Sequence, residues 1–213
     1  MQLVIFDFDG TLGDTCANII KTMQDTFRTL SYPVAGEDAI RATIGLPLEE
    51  SFRVLLPGQP EEAILECARV YREIFERNRK ELVPGLFPHV VETLRALQER
   101  GFVLSVATSR RSRSLTGFLH DMGIAGFISY QVCADMVEKA KPDPEAVLKT
   151  LRELGVAAAD ALVVGDMPVD ILMGRGAGVK TCGVTYGNGS RASLAAAGAD
   201  WIIDDISELL ALI

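Results

Sequence analysis

The chain has 213 residues, of which 48% are hydrophobic and 23% are charged, and its formal net charge is -8. This composition is that of a globular protein with one sizeable domain, or with a core domain and a smaller insert. The acidic balance argues against a non-specific nucleic-acid binder, which needs a basic surface, and no apolar run is long enough to span a bilayer.

The four cysteines lie far apart and form no C-x-x-C pair, so neither a zinc site nor a disulfide framework is expected. The N-terminus enters a strand directly, without a basic leader. We therefore expect a cytoplasmic, reduced protein without nucleic-acid or membrane partners.

The first predicted strand ends abruptly in the polar segment Asp7-Phe8-Asp9-Gly10-Thr11. Its apolar run is typical of a strand buried on both faces of a parallel sheet, and the carboxyl ends of such strands are where open α/β sheets bind ligands. Two adjacent carboxylates repel unless a cation offsets their charge, and a hard divalent cation such as Mg²⁺ is the natural partner. Taken alone, a buried strand with an ordinary Asp-Gly turn explains the segment equally well.

The next stretch shows helical spacing only. Four helices are predicted here, over residues 18–30, 37–44, 48–55 and 61–82. No strand pattern interrupts them, which predicts a helical cap over residues 15–82, inserted into a core formed by residues 1–14 and 83–213. Within this cap, Arg41 and Gly45 are the candidates to face a substrate, although an exposed helix charge and a turn glycine explain them as well.

From Pro84-Gly85 onward, strands and helices alternate. Strands are predicted over residues 102–107, 127–133, 161–164, 179–184 and 201–203. Helices are predicted over residues 90–100, 113–122, 145–154, 169–176, 191–197 and 206–212. Alternation with short, glycine-marked turns predicts an α/β fold in which helices cover both faces of a doubly wound parallel sheet.

Polar side chains also follow the second strand of the core. Thr108, Ser109 and Arg110 come directly after residues 102–107. Hydroxyls and backbone N–H groups at such a position can hold a phosphate, or they can simply cap the next helix.

Two further clusters come later in the chain. Lys141 precedes Pro-Asp-Pro and offers a compact positive charge that can offset a phosphate; the alternative is an exposed lysine, with Lys139 as its competitor. Gly165-Asp166 ends the strand over 161–164, and Asp170 follows four residues on. An N-cap with an acidic first turn would explain this last pair equally well.

Together and in order, these clusters resemble the motifs of the haloacid dehalogenase superfamily: D-x-D-G-T, a strand-end Thr or Ser, a Lys, and G-D-x-x-x-D. The resemblance covers the whole chain and implies a Rossmann-like core with an α-helical cap. The segments over 44–48 and 185–189 are similar to the phosphoglycolate phosphatase-like branch. The chain departs from the family pattern at Ser109 and Arg110, where Asn and Lys are frequent, and at Met167 and Gly13.

The resemblance also implies roles for residues. Asp7 would be the nucleophile that forms an aspartyl-phosphate, and Asp9 would protonate the leaving alkoxide and then activate water. The transferring phosphoryl group would be held by Thr108 and Lys141, with Gly10, Thr11, Ser109 and Arg110 around the substrate. Mg²⁺ would be bound by the Asp7 carboxylate, the Asp9 carbonyl and Asp166, with Asp170 nearby.

The resulting prediction is a Mg²⁺-dependent phosphatase, a monomer or homodimer, that hydrolyses a small phosphorylated metabolite such as phosphoglycolate. A phosphosugar mutase, a pyrophosphatase and a catalytically silent binding protein remain alternatives. A dehalogenase is disfavoured, because attack on carbon does not need the acid that Asp9 supplies. The intact set of motif residues argues against the silent protein.

Overall fold

The central sheet has six parallel strands with the amino-terminal strand in its middle. The computed structural model describes residues 2–213. Its strands are β1 (Leu3–Phe6), β2 (Gly13–Asp14), β3 (Gly85–Leu86), β4 (Val103–Ala107), β5 (Tyr130–Val132), β6 (Ala161–Gly165), β7 (Lys180–Val184) and β8 (Trp201–Ile203). The sheet order is β5-β4-β1-β6-β7-β8, so the chain builds outward from β1 first on one side and then on the other.

Helices cover both faces of this sheet. They are α1 (Cys16–Thr29), α2 (Glu37–Arg41), α3 (Leu48–Leu55), α4 (Glu61–Glu81), α5 (Val90–Glu99), α6 (Ser112–Asp121), α7 (Glu145–Leu154), α8 (Pro168–Gly176), α9 (Arg191–Ala197) and α10 (Leu209–Leu212). Alternate side chains of β1 enter two different apolar clusters: Val4 and Phe6 join one, and Leu3 and Ile5 join the other. Burial on both faces explains why β1 reads as a continuous apolar run, and it confirms the predicted doubly wound α/β class.

The helices α1 to α4 form the insertion that follows β1. Helices α1 and α4 pack against each other, and the rings of Phe27, Phe52 and Tyr71 meet edge to face between the helices. Strands β2 and β3 pair antiparallel, so the two connections to the insertion run side by side. The division into residues 15–82 and a two-part core stays a prediction at the level of domains.

Most predicted elements are confirmed within a residue or two at each end, and three differ more. The helix predicted over 37–44 ends at Arg41, where the Thr43 hydroxyl donates to the Ile40 carbonyl and competes with helix continuation. The strand predicted over 127–133 begins as a 3-10 turn over Ala125–Phe127 and becomes β5 only at Tyr130. The last predicted helix likewise starts as a 3-10 turn, over Ile206–Glu208. In the described part of the chain, no helix has the length and apolarity needed to cross a membrane.

Candidate active site

The polar segments predicted from the sequence meet at one edge of the sheet. Asp7 and Asp9 follow β1, Thr108 follows β4 and Asp166 follows β6, and these three strands are neighbours. The carboxyl ends of parallel strands lie at the same edge, and a crevice opens there where the chain changes direction across the sheet. A cavity of about 620 Å³ lies between this edge and helices α1, α3 and α4 of the insertion.

Three aspartates form a buried acidic cluster at the floor of this cavity. Asp7, Asp166 and Asp170 each place a carboxylate oxygen within 4.8 Å of the others. Only Asp7 also lines the cavity, since Asp166 and Asp170 are at most 1% exposed. The Lys141 ammonium lies among them and donates to Asp7 Oδ1 at 2.6 Å and to Asp170 Oδ1 at 2.7 Å.

One buried ammonium cannot balance three carboxylates, and the pKa values follow this imbalance. Burial, together with the charges of Asp170 and Asp166, raises the pKa of Asp7 well above its usual range despite the opposing effect of Lys141. Burial and Asp170 raise the pKa of Asp166 to about 7. Burial lowers the pKa of Lys141, but Asp170 and Asp7 outweigh it and raise the value above normal, so the lysine stays charged. The cluster therefore carries more negative charge than Lys141 can balance.

Small and polar neighbours that follow β1 and β7 hold the Asp166 carboxylate in place. Thr11 Oγ1 donates to Asp166 Oδ1 at 3.1 Å, and the backbone N–H of Asn188 donates to Oδ2 at 2.7 Å. Gly10 has a φ of +89°, and a Cβ at this position would lie 2.2 Å from Asp166 Oδ2. Gly10 and Thr11 therefore shape the acidic cluster and do not line the cavity. Sequence reasoning missed Asn188, because its segment was noted only as a family resemblance.

The Asp9 carboxylate lies apart from the acidic cluster. It accepts hydrogen bonds from the Arg110 guanidinium and from the Thr15 hydroxyl at the start of α1. Sequence reasoning missed Thr15, because its position before a helix is the only local signal and does not indicate a contact with Asp9. The carboxylate of Asp9 is thus not one of the three grouped acids. That the backbone carbonyl of Asp9 binds a metal ion stays a prediction.

The insertion touches the core through the residues after β4. Ser109 Oγ donates to the Gly45 carbonyl at 2.7 Å, and both residues line the cavity, as do Thr108 and Arg110. The structure does not bring Arg41 there. Its guanidinium donates to Cys16 Sγ at 2.9 Å in a separate small cleft beside α1, so the prediction that Arg41 faces the substrate has no support from its position.

The raised pKa of Asp166 predicts a pH-dependent stability of the metal-free protein. The folded state holds this proton more tightly than the unfolded state, so stability decreases as pH rises from about 4 to about 7. One group shifted from 3.8 to about 7 contributes up to about 4 kcal/mol of this loss. Urea unfolding in EDTA at pH 5.5 and pH 8 will show the lower midpoint at pH 8, and Asp166→Asn will reduce the difference. A midpoint that is flat or rises over this range contradicts the assignment.

Comparison with known proteins places these features in one family. The family model described as "Haloacid dehalogenase-like hydrolase" matches residues 4–184. The solved structure of a haloacid dehalogenase-like hydrolase of Streptococcus pneumoniae superposes with a TM-score of 0.89 at 26% identity, over 100% of this chain and 98% of that one.

Three curated relatives carry phosphatase names. "Probable phosphatase IndB" of Dickeya dadantii is 40% identical over 98% of this chain and 91% of its own length. "Pyrophosphatase PpaX" of Halalkalibacterium halodurans is 34% identical over 100% of this chain and 97% of its own. "Phosphoglycolate phosphatase" of Vibrio cholerae is 30% identical, with the same coverage of 100% and 97%.

Proposed function

The chain belongs to the haloacid dehalogenase-like hydrolase family, and within it we propose a Mg²⁺-dependent phosphatase that acts on a small phosphomonoester through an aspartyl-phosphate. One observation carries the proposal: Asp7 is the member of the buried acidic cluster that also faces the cavity. A phosphate in the cavity meets this carboxylate, while Asp166 and Asp170 stay behind it.

Asp7 is the proposed nucleophile. Its carboxylate oxygen forms a bond to phosphorus as the bond from phosphorus to the leaving oxygen breaks, and water then cleaves the resulting acyl phosphate to release inorganic phosphate. An anion that attacks a phosphate dianion meets like-charge repulsion, which the Lys141 ammonium at 2.6 Å from Asp7 reduces. The Thr108 hydroxyl lines the same cavity and is the second group proposed to hold the phosphoryl oxygens.

Asp9 is the proposed proton donor and acceptor. Its carboxylate lies at the cavity and outside the acidic cluster, so it would not be among the carboxylates that hold the proposed metal ion. It gives a proton to the leaving oxygen in the first step and takes one from the attacking water in the second. The same group serves both steps because the first leaves it as the carboxylate that the second needs, and the second returns its proton.

The acidic cluster fits a Mg²⁺ ion. Three carboxylate oxygens within 4.8 Å of one another are the hard ligands that this ion prefers, and the cluster carries more negative charge than Lys141 balances. We propose that Asp7, Asp166 and Asp170 hold the ion, together with the Asp9 carbonyl. Bound there, Mg²⁺ supplies positive charge that polarises the phosphoryl group.

The volume and lining of the cavity indicate the size of the substrate. A volume of about 620 Å³ lies within the roughly 300–1,000 Å³ that is usual for small-molecule sites. Apolar side chains of the insertion, including Met23, Leu46 and Phe75, also line this cavity. A small phosphorylated metabolite is the proposed substrate, with phosphoglycolate as one member of the class to test.

We expect inorganic phosphate to be released from at least one compound of a panel in Mg²⁺ and not in EDTA. The panel contains phosphoglycolate, sugar phosphates, nucleoside monophosphates, glycerol 2-phosphate, p-nitrophenyl phosphate and pyrophosphate. Release that persists in EDTA contradicts the metal assignment. No release from any compound contradicts the phosphatase proposal, and favours a mutase if a phosphorylated Asp7 can be trapped or a silent binding protein if it cannot.

A further inference from the structure

A guanidinium clamp holds the Asp9 carboxylate. Arg110 Nε donates to Asp9 Oδ2 at 2.7 Å and to Oδ1 at 2.9 Å, and Nη2 donates to Oδ1 as well. The Arg110 side chain is only 10% exposed, so the pair is largely sheltered from water. A planar guanidinium that engages both oxygens fixes the direction of a carboxylate as well as its position.

Aromatic rings in turn hold the guanidinium. The Arg110 Cζ atom lies 4.5 Å from the ring centre of Phe118, 5.0 Å from that of Phe75 and 5.7 Å from that of Phe8. Nη1 also donates to Ser114 Oγ at 3.1 Å. Cation–π contacts of this kind favour one placement of a planar cation. Phe75 belongs to α4 and the other two rings to the core, so the clamp lies where the insertion meets the core.

We propose that Arg110 is a positioning residue that acts through Asp9 and is not a ligand of the substrate. The inference rests on the proposed role of Asp9. All three guanidinium nitrogens of Arg110 already donate to protein atoms, so the proposal assigns this residue to Asp9 in place of the substrate contact expected from the sequence. An Asp side chain can rotate about two torsions, and a displacement of about 1 Å at a reacting group can reduce a rate about 100-fold.

The test compares Arg110→Met with wild type, using the full chain in Mg²⁺ with glycerol 2-phosphate as substrate. We expect kcat to fall about 30-fold while KM changes less than about 3-fold, because orientation is lost and binding is not. With p-nitrophenyl phosphate, the burst of nitrophenolate will change less than about 3-fold, since this leaving group departs without a proton. A general loss of structure would instead reduce the rate on glycerol 2-phosphate and the nitrophenolate burst by the same factor.

A double-mutant cycle separates action through Asp9 from every other role. In an Asp9→Asn background, Arg110→Met will reduce the remaining rate by less than about 2-fold, because the group that Arg110 positions is already gone. Arg110→Lys keeps a positive charge without the planar fork, and it will restore part of kcat. Arg79→Met is the matched control: Arg79 also lies over Phe118, at 5.6 Å, and the structure records no bond from it to Asp9, so its loss will leave kcat near wild type.

Two results would overturn the assignment of Arg110 alone: a KM increase of about 10-fold or more with unchanged kcat, or fully multiplicative losses in the double-mutant cycle. A wild-type protein that forms no phosphoenzyme with any compound of the panel would instead overturn the proposed function, and this inference with it. Thermal unfolding of each variant checks the fold. If Arg110→Met does not fold, Arg110→Lys carries the same kcat, KM and cycle comparison.

Discussion

Replacement of Asp7 by Asn will reduce turnover by a factor of about 10⁴ or more, because the amide cannot form the bond to phosphorus. The loss will appear in kcat on every substrate of the panel, whatever its leaving group, since the nucleophile is common to all. With a ³²P-labelled substrate and rapid acid quenching, wild type will retain label on the protein and Asp7→Asn will not. Turnover near that of wild type would contradict the assignment of the nucleophile.

The same variant should fold at least as well as wild type in EDTA. Burial and the neighbouring carboxylates raise the pKa of Asp7, so its negative charge is unfavourable in the metal-free folded state. The neutral amide removes that charge and keeps the shape of the side chain. Urea unfolding in EDTA at pH 8 will therefore give a midpoint for Asp7→Asn equal to or above that of wild type. Asp121→Asn is the control: its carboxylate is 63% exposed on the surface, and the variant will keep both its activity and its unfolding midpoint.

Local patterns predicted the fold well where burial is nearly complete. Strand β1 is fully buried on both faces, and its run of apolar side chains leaves little other interpretation. Strands β2 and β3 are two residues long, which is too short for any periodicity, and they form only because the ends of the insertion meet. The 3-10 turn at Ala125–Phe127 likewise depends on local hydrogen bonding that hydrophobic spacing does not report.

The candidate site likewise has one part that the sequence predicts and another that it does not. Asp7, Thr108 and Asp166 could be placed together from sequence, because each follows a strand of one parallel sheet and such strand ends meet at one edge. The contacts of Arg110 with Asp9 and of Ser109 with Gly45 join residues 101 and 64 positions apart. No spacing rule reports either contact, because the first depends on side-chain packing within the core and the second on how the insertion packs against the core.

Lys141→Ala will lower kcat by about 100-fold or more, because a preorganised positive charge beside the nucleophile is lost. The ammonium donates to Asp7 at 2.6 Å and to Asp170 at 2.7 Å. Its removal leaves these two buried carboxylates without their cationic partner, so repulsion against an incoming phosphate increases. Lys141→Met, which keeps most of the side-chain volume, will show the same loss and thereby exclude a simple cavity effect.

Lys139→Ala is the matched control, since Lys139 lies two residues away with a side chain that is 72% exposed and 3.8 Å from Asp143. We expect it to retain most of the wild-type rate, because a solvated ammonium near the surface is screened from the reacting phosphate. If Lys141→Ala kept its rate and Lys139→Ala lost it, the phosphate-neutralising role would pass to Lys139. The buried position of Lys141 argues that this lysine holds the role, because a charge inside an acidic cluster, at hydrogen-bond distance from the nucleophile, needs no rearrangement to act on the phosphoryl group.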